Sequence, residues 1–240
     1  MKILGLDTSG YANALGVCEN GRVLAEGHFP SANDSVQKIM NHITVVLGQA
    51  DVSISDIDGF GVGLGPGSWT GIRVGVTVGK ILAFSLGKPA AGVPSLMAVA
   101  YPHLSPGQRV GAVIGGGTGS MAYAAVYSAE AGLPVLQGDY YMGDVMELAG
   151  VLADVETVVT AVDVLPPDVT AVLRNNGRTL LVENEAPGGG TVALMAETFI
   201  AGGQTDDTMA LVPLYLKEHT ARAFQARYFP QNLESLKDKK

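Results

Sequence analysis

Gly65-Pro66-Gly67-Ser68-Trp69-Thr70-Gly71-Ile72-Arg73-Val74-Gly75 is the stretch on which the reading of this chain turns. It follows a short apolar run, Ile57 to Gly63, that reads as a buried strand. It opens a helix expected from about Thr70 to Leu86, stopped by Gly87-Lys88-Pro89. Within that helix Gly71, Gly75, Gly79 and Ala83 recur every fourth residue and line one face. Three interior glycines weaken a helix by roughly 3 kcal/mol against alanine, so a close approach of another backbone must offset them. Two readings fit the stripe: tight packing on the chain's own sheet, or contact with a partner's helix. The loop is neither a Walker A sequence nor a dinucleotide fingerprint. Its free N–H groups at a helix start suit an anion, with Arg73 adding charge, though a plain tight turn fits as well.

Upstream, Lys2 to Leu6 reads as a strand ending on Asp7-Thr8-Ser9-Gly10. Ala14 to Cys18 and Arg22 to His28 flank Asn20-Gly21, a hairpin signal, so three antiparallel strands are expected. From about Ser35 to Ala50, Val36, Ile39, Met40, Ile43, Val46 and Leu47 repeat at helical spacing, with Asn33 or Asp34 as the cap. Downstream, Val93-Pro94-Ser95-Leu96 begins a helix to about Tyr101, and Pro102 to Gly107 marks a lobe boundary. The second half restarts with Val110 to Ile114, the loop Gly115 to Ser120 and a strand from Met121 to Tyr127. A strand-loop-strand opening thus occurs twice, which favours a duplicated two-lobed α/β architecture divided into residues 1–104 and 105–240. The elements of residues 140–200 are not ordered by pattern alone. Leu211 to Leu216 is a short apolar segment before a polar tail that ends on Lys237-Asp238-Lys239-Lys240 and reads as solvated.

The 240 residues are 47% hydrophobic and 16% charged, enough for a sizeable core and against disorder. A formal net charge of −8 makes the chain a poor candidate for gripping nucleic-acid phosphates alone. Cys18 is the only cysteine. That excludes an internal disulfide, suits a reducing cytoplasm, and reads as a small buried hydrophobe. The start is not built like a signal peptide, and no apolar run is long enough to span a membrane.

The catalytic inventory is thin. His28, His42, His103 and His219 are scattered, and no pair falls at i, i+4. His42 reads as a surface or interface residue. No Gly-x-Ser-x-Gly elbow is present. Asp7-Thr8-Ser9 has the chemistry to hold a metal–phosphate group, though most such triplets only build turns. The loop at 115–120 would be its counterpart, but Val113 and Ile114 precede it where a carboxylate would be needed.

The run from Gly65 to Gly75, Gly92-Val93-Pro94-Ser95-Leu96, the opening Ile3-Leu4-Gly5-Leu6-Asp7-Thr8-Ser9 and the late Pro213-Leu214-Tyr215-Leu216 together resemble the TsaB (YeaZ) family. The resemblance implies a two-lobed ASKHA fold, actin-like and ribonuclease H-like, each lobe a mixed sheet with flanking helices. It implies a role in forming threonylcarbamoyladenosine at tRNA position 37, as the non-catalytic partner that dimerises with and activates the TsaD transferase. TsaE is the further ATPase component, and tRNA is reached only through the complex. The contact with TsaD, and with a second copy when the chain is alone, is implied for the helices at about 35–50 and 70–86. The candidate interface residues there are Ile39, Ile43, Val46, Ile72, Gly75, Val76, Gly79 and Ala83. No catalytic residue and no metal ligand are assigned, and no cofactor is expected to be required. Asp7, Thr8, Ser9, Gly67 and Ser68 are the candidate anion or nucleotide site, with ATP or ADP at the partner interface as its ligand. The chain departs from the family in carrying Gly115-Gly116-Gly117-Thr118 where relatives have an Asp-Ala-Arg-like run. The alternatives are an ATP-binding ASKHA phosphotransferase using Asp7 and, after an old family label, a glycoprotease-type metallopeptidase.

Overall fold

Asn20 and Gly21 adopt φ of 51° and 76°, the conformation that lets two strands reverse in two residues. In this computed structural model, which describes residues 1–30, 36–116, 120–130, 132–161, 165–175, 178–183 and 187–216, they join β2 (Ala12–Glu19) to β3 (Arg22–Pro30) with Glu19 opposite Arg22. β1 (Lys2–Asp7) pairs antiparallel with β2 and parallel with β4 (Gly59–Gly63), and β5 (Ala90–Val93) follows in parallel. The first sheet therefore runs β3-β2-β1-β4-β5.

β1 is buried on both faces from Ile3 onward, which explains an apolar run without alternation. Leu4 and Leu6 pack with α1 (Val36–Gln49) and α2 (Trp69–Leu86), while Ile3 packs on the opposite side. The Asn33 or Asp34 cap lies outside the described residues. Ser68 caps α2 by accepting from Gly71 N, and Gly87 ends it at φ 62°.

These two helices correct the expected interface. Ile39, Ile43 and Val46 of α1, and Ile72, Gly75, Val76, Gly79 and Ala83 of α2, are all buried within this chain. The glycine stripe faces the chain's own first sheet. A Cβ on Gly75 would be driven into Thr8 Oγ1, and one on Gly79 would sit 2.5 Å from Val62 Cγ2. The periodic apolar positions of an amphipathic helix mark its core side, so a partner can meet only the residues between them.

The second sheet repeats the first. After α3 (Ser95–Ala100) come β6 (Arg109–Gly115), β7 (Met121–Glu130) and β8 (Leu133–Asp144), an antiparallel set. α4 (Leu148–Val151), β9 (Thr157–Ala161), α5 (Pro167–Asn175) and β10 (Thr179–Glu183) follow, with β9 parallel to both β6 and β10. The order β8-β7-β6-β9-β10 matches β3-β2-β1-β4-β5 strand for strand.

The chain then returns. α6 (Gly189–Ala201) packs on β1, β2 and β4 of the first sheet, opposite α1 and α2. A Cβ on Gly5 would overlap Gly189 O, and one on Gly16 would overlap Gly190 N, so backbones touch directly there. The division at residue 104 falls between the sheets, but residues 189–214 of the second half lie on the first. One core cluster joins Ile3, Ala91 and Val93, the whole of α3 beyond Ser95, Val110 and Ala112, and Val192, Ala193, Met195, Ala196 and Phe199 of α6. Glu197 of α6 fastens the hairpin, accepting from Gly21 N at 2.7 Å and Asn20 N at 2.9 Å. Burial pushes its carboxyl up, but those N–H groups and the terminal ammonium outweigh burial and hold it below the usual range. Cys18 donates to the same carboxylate at 3.7 Å, and burial first, then Glu197, pushes the thiol up to about 12. At neutral pH it is an inert core group. Among the described residues no helix is long and apolar enough to cross a membrane.

Candidate functional site

The end of β1, the loop before α2 and the start of α3 meet at Asp7. Ser9 donates to Asp7 Oδ1 through its amide at 2.7 Å and its hydroxyl at 2.6 Å. Ser95 Oγ donates to Oδ2 at 2.5 Å and accepts from Gly65 N at 3.0 Å. Ser68 N donates to Ser9 O at 2.8 Å, and Thr8 Oγ1 donates to Gly71 O at 2.7 Å. The structure thus brings Asp7, Thr8, Ser9, Gly67 and Ser68 together, with a Cβ on Gly67 overlapping Ser9 O. Ser95, 88 residues from Asp7, was not among the candidates; its place in the Val93-Pro94-Ser95-Leu96 run was the only sequence signal.

This cluster is a weld between three elements. Asp7, Thr8 and Ser9 are buried, and the carboxylate and hydroxyls are spent on one another and on backbone. Burial pushes the Asp7 carboxyl above its ordinary range, against the hydrogen bonds from Ser9 and Ser95 that pull it down. Its partners here are three neutral donors, so an amide replaces it only in part: the asparagine oxygen can still accept from Ser9, but the NH2 cannot accept from Ser95 Oγ. Asp7→Asn is expected to cost about 1 kcal/mol for the one donor it strands, whereas Asp7→Ala strands three buried donors and costs about 2–3 kcal/mol. Urea titration of the two variants checks this. A fold that needs the acid, with Asp7→Asn as damaging as Asp7→Ala, would contradict the neutral-donor account.

Of the 115–120 loop, Gly116 N donates to Met121 O at 2.8 Å; residues 117–119 lie outside the described residues, as does His219. His42 stacks on Phe29 with centroids 4.1 Å apart, and His103 Nε2 lies 2.8 Å from Glu183 Oε1. Among the described residues no three His, Cys, Asp or Glu side chains gather as metal ligands.

The outward side of the helix pair has a different character. Trp69, Ile81 and Phe84 of α2 are 61%, 54% and 69% exposed, and Val45 of α1, which packs beside α2, is 47% exposed. Trp69 stacks against Tyr215 with centroids 4.6 Å apart, and the Arg73 guanidinium carbon lies 5.7 Å from the Trp69 ring. These outward residues were missed because apolar periodicity points to the core, and exposed apolar residues break it.

Over 231 residues, 92% of this chain and 96% of the other, the sequence is 28% identical to the tRNA threonylcarbamoyladenosine biosynthesis protein TsaB of Escherichia coli. Along almost its whole length the chain is similar to a TsaB protein. With Bacillus subtilis TsaB it shares 38% identity over 101 residues, which span 42% of this chain and 44% of that protein. The family model for TsaD, tRNA N6-adenosine threonylcarbamoyltransferase, matches residues 30–139. Among solved structures, YeaZ from Pseudomonas aeruginosa superposes with a TM-score of 0.69 at 24% identity, covering 90% of this chain and 99% of its own. A ROK hexokinase from Thermus thermophilus gives a TM-score of 0.54 at 14% identity, with 85% of this chain and all of its own covered. The fold is accordingly the ASKHA type, with two mixed five-stranded sheets and flanking helices.

Proposed function

We propose that this protein serves threonylcarbamoyladenosine formation on tRNA as an accessory subunit, pairing with a TsaD transferase and carrying out no chemical step itself. The observation that carries the reading is the outward face of α1 and α2, where Val45, Trp69, Ile81 and Phe84 stand exposed. The TsaD family model spans the same helices, so a TsaD presents a corresponding pair, and two related faces can meet about a pseudo-twofold axis. Two copies of this chain pair through the same face when TsaD is absent. TsaE supplies the ATPase component, and tRNA is bound by the assembly, in keeping with the chain's own charge of −8. The engagement of the Asp7 carboxylate by Ser9 and Ser95 favours this reading over a phosphotransferase.

The experiment is reconstitution with the matching TsaD and TsaE, measuring threonylcarbamoyl transfer to tRNA with and without this protein. Transfer that depends on it, with no ATP turnover by the chain alone, is the expected result. Transfer indifferent to its presence would overturn the reading.

A further inference from the structure

Beyond α6, the chain runs back along α2 as a strap over residues 207–216. Lys80 Nζ donates to Met209 O at 2.8 Å and Leu211 O at 3.0 Å, fixing one end. Leu214 N donates to Leu64 O at 2.8 Å, and the Tyr215 ring lies on Trp69, fixing the other. Leu211 and Leu214 are buried in the core below. The two fixed points on α2 lie roughly 16 Å apart at about 1.5 Å per residue, so the strap follows most of the helix. Trp69, Arg73, Val76 and Lys80 fall on the stripe of α2 beside it, and Thr77, Ile81 and Phe84 on the next stripe outward. The strap carries exposed apolar side chains of its own, Met209 at 68% and Val212 at 58%.

We propose that the strap is the second half of the docking surface, so that TsaD meets α1, α2 and residues 209–215 together, with Met209 and Val212 in the contact and Tyr215 positioning Trp69. The proposal rests on the pairing argued above and commits to the same occupant. Its grounds are continuity with the α2 face and the makeup of the ledge. An aromatic residue held by a second ring and flanked by an arginine, with exposed apolar side chains further along the same helix and strap, is the composition of a binding hot spot. The match to TsaD ends at residue 139, so the strap adds to this chain's face a part that the shared segment does not supply.

The test titrates the full-length chain against its matching TsaD by calorimetry. Met209→Asp and Val212→Asp change exposed positions and leave the fold intact, as an unchanged thermal transition would confirm. Each is expected to raise Kd about 10-fold or more. Tyr215→Ala is expected to raise it as well and to red-shift Trp69 fluorescence as the indole loses its stacking partner. If both aspartate variants bind with parental affinity while Phe84→Asp does not, the strap lies outside the surface and this proposal alone fails. If the parent chain itself does not bind TsaD, the pairing fails and the strap proposal falls with it.

Discussion

Gly75→Leu is expected to yield a chain that cannot fold its first lobe, not a folded monomer that has lost its partner. The reason is the position of Thr8. A Cβ at residue 75 would enter the space of Thr8 Oγ1, and that hydroxyl is held by its hydrogen bond to Gly71 O. Thr8 cannot retreat, because Asp7 on one side is tied to Ser95, and Ser9 on the other accepts from Ser68 N. Nor can α2 rise off the sheet without losing the contact of Gly79 with Val62 and the burial of Ile72, Val76 and Ala83. A leucine there costs about 4 kcal/mol or more, a large part of the roughly 5–15 kcal/mol that holds a typical domain together. Far-UV circular dichroism and urea titration of the purified variant would show a lost or strongly shifted transition. Gly79→Ala should be milder, since the obstacle is the Val62 side chain and not a pinned backbone or hydroxyl. A Gly75→Leu chain with parental stability that no longer pairs would restore the stripe to the interface.

That reversal shows where the sequence stops being legible. The spacing of Gly71, Gly75 and Gly79 reveals a smooth face but not what lies against it, and the same pattern suits a sheet or a foreign helix. The hairpin at Asn20-Gly21 and the ends of α2 were readable because local rules decide them: positive φ, a serine cap, a C-terminal glycine. The strand-loop-strand echo was readable too, and the strand orders show that it extends through the whole of each sheet. What stayed hidden depends on long-range pairing. Ser95 reaches Asp7 across 88 residues, Glu197 reaches Gly21 across 176, and Lys80 reaches Leu211 across 131. The return of α6 to the first sheet had one local trace, the run Gly188-Gly189-Gly190, in which the missing side chain of Gly189 admits the backbone of Leu15. Nothing local says which sheet those glycines would touch.

Phe84→Asp should separate folding from pairing in the opposite sense to Gly75→Leu. Phe84 is 69% exposed on the last turns of α2, so a carboxylate there stays in water and the monomer keeps its stability. In the proposed pair the same carboxylate would be buried against an apolar helix face without a partner, and the phenyl contact would be gone. Loss of a central aromatic anchor costs about 2–4 kcal/mol, which is about 30- to 1,000-fold in Kd. Ile81→Asp, one turn earlier on the same stripe, should act in the same direction, and Thr77→Asp less, since it removes no apolar contact. The readout is twofold: calorimetric titration with TsaD, and dependence of threonylcarbamoyl transfer on the concentration of the variant. Because the defect lies in association, transfer should recover as the variant is raised well above its weakened Kd. A variant that binds TsaD normally yet fails to support transfer would place the activating contact elsewhere on the chain. If it neither binds nor self-associates while melting like the parent, the outward side of α2 is the surface that the buried glycine stripe is not.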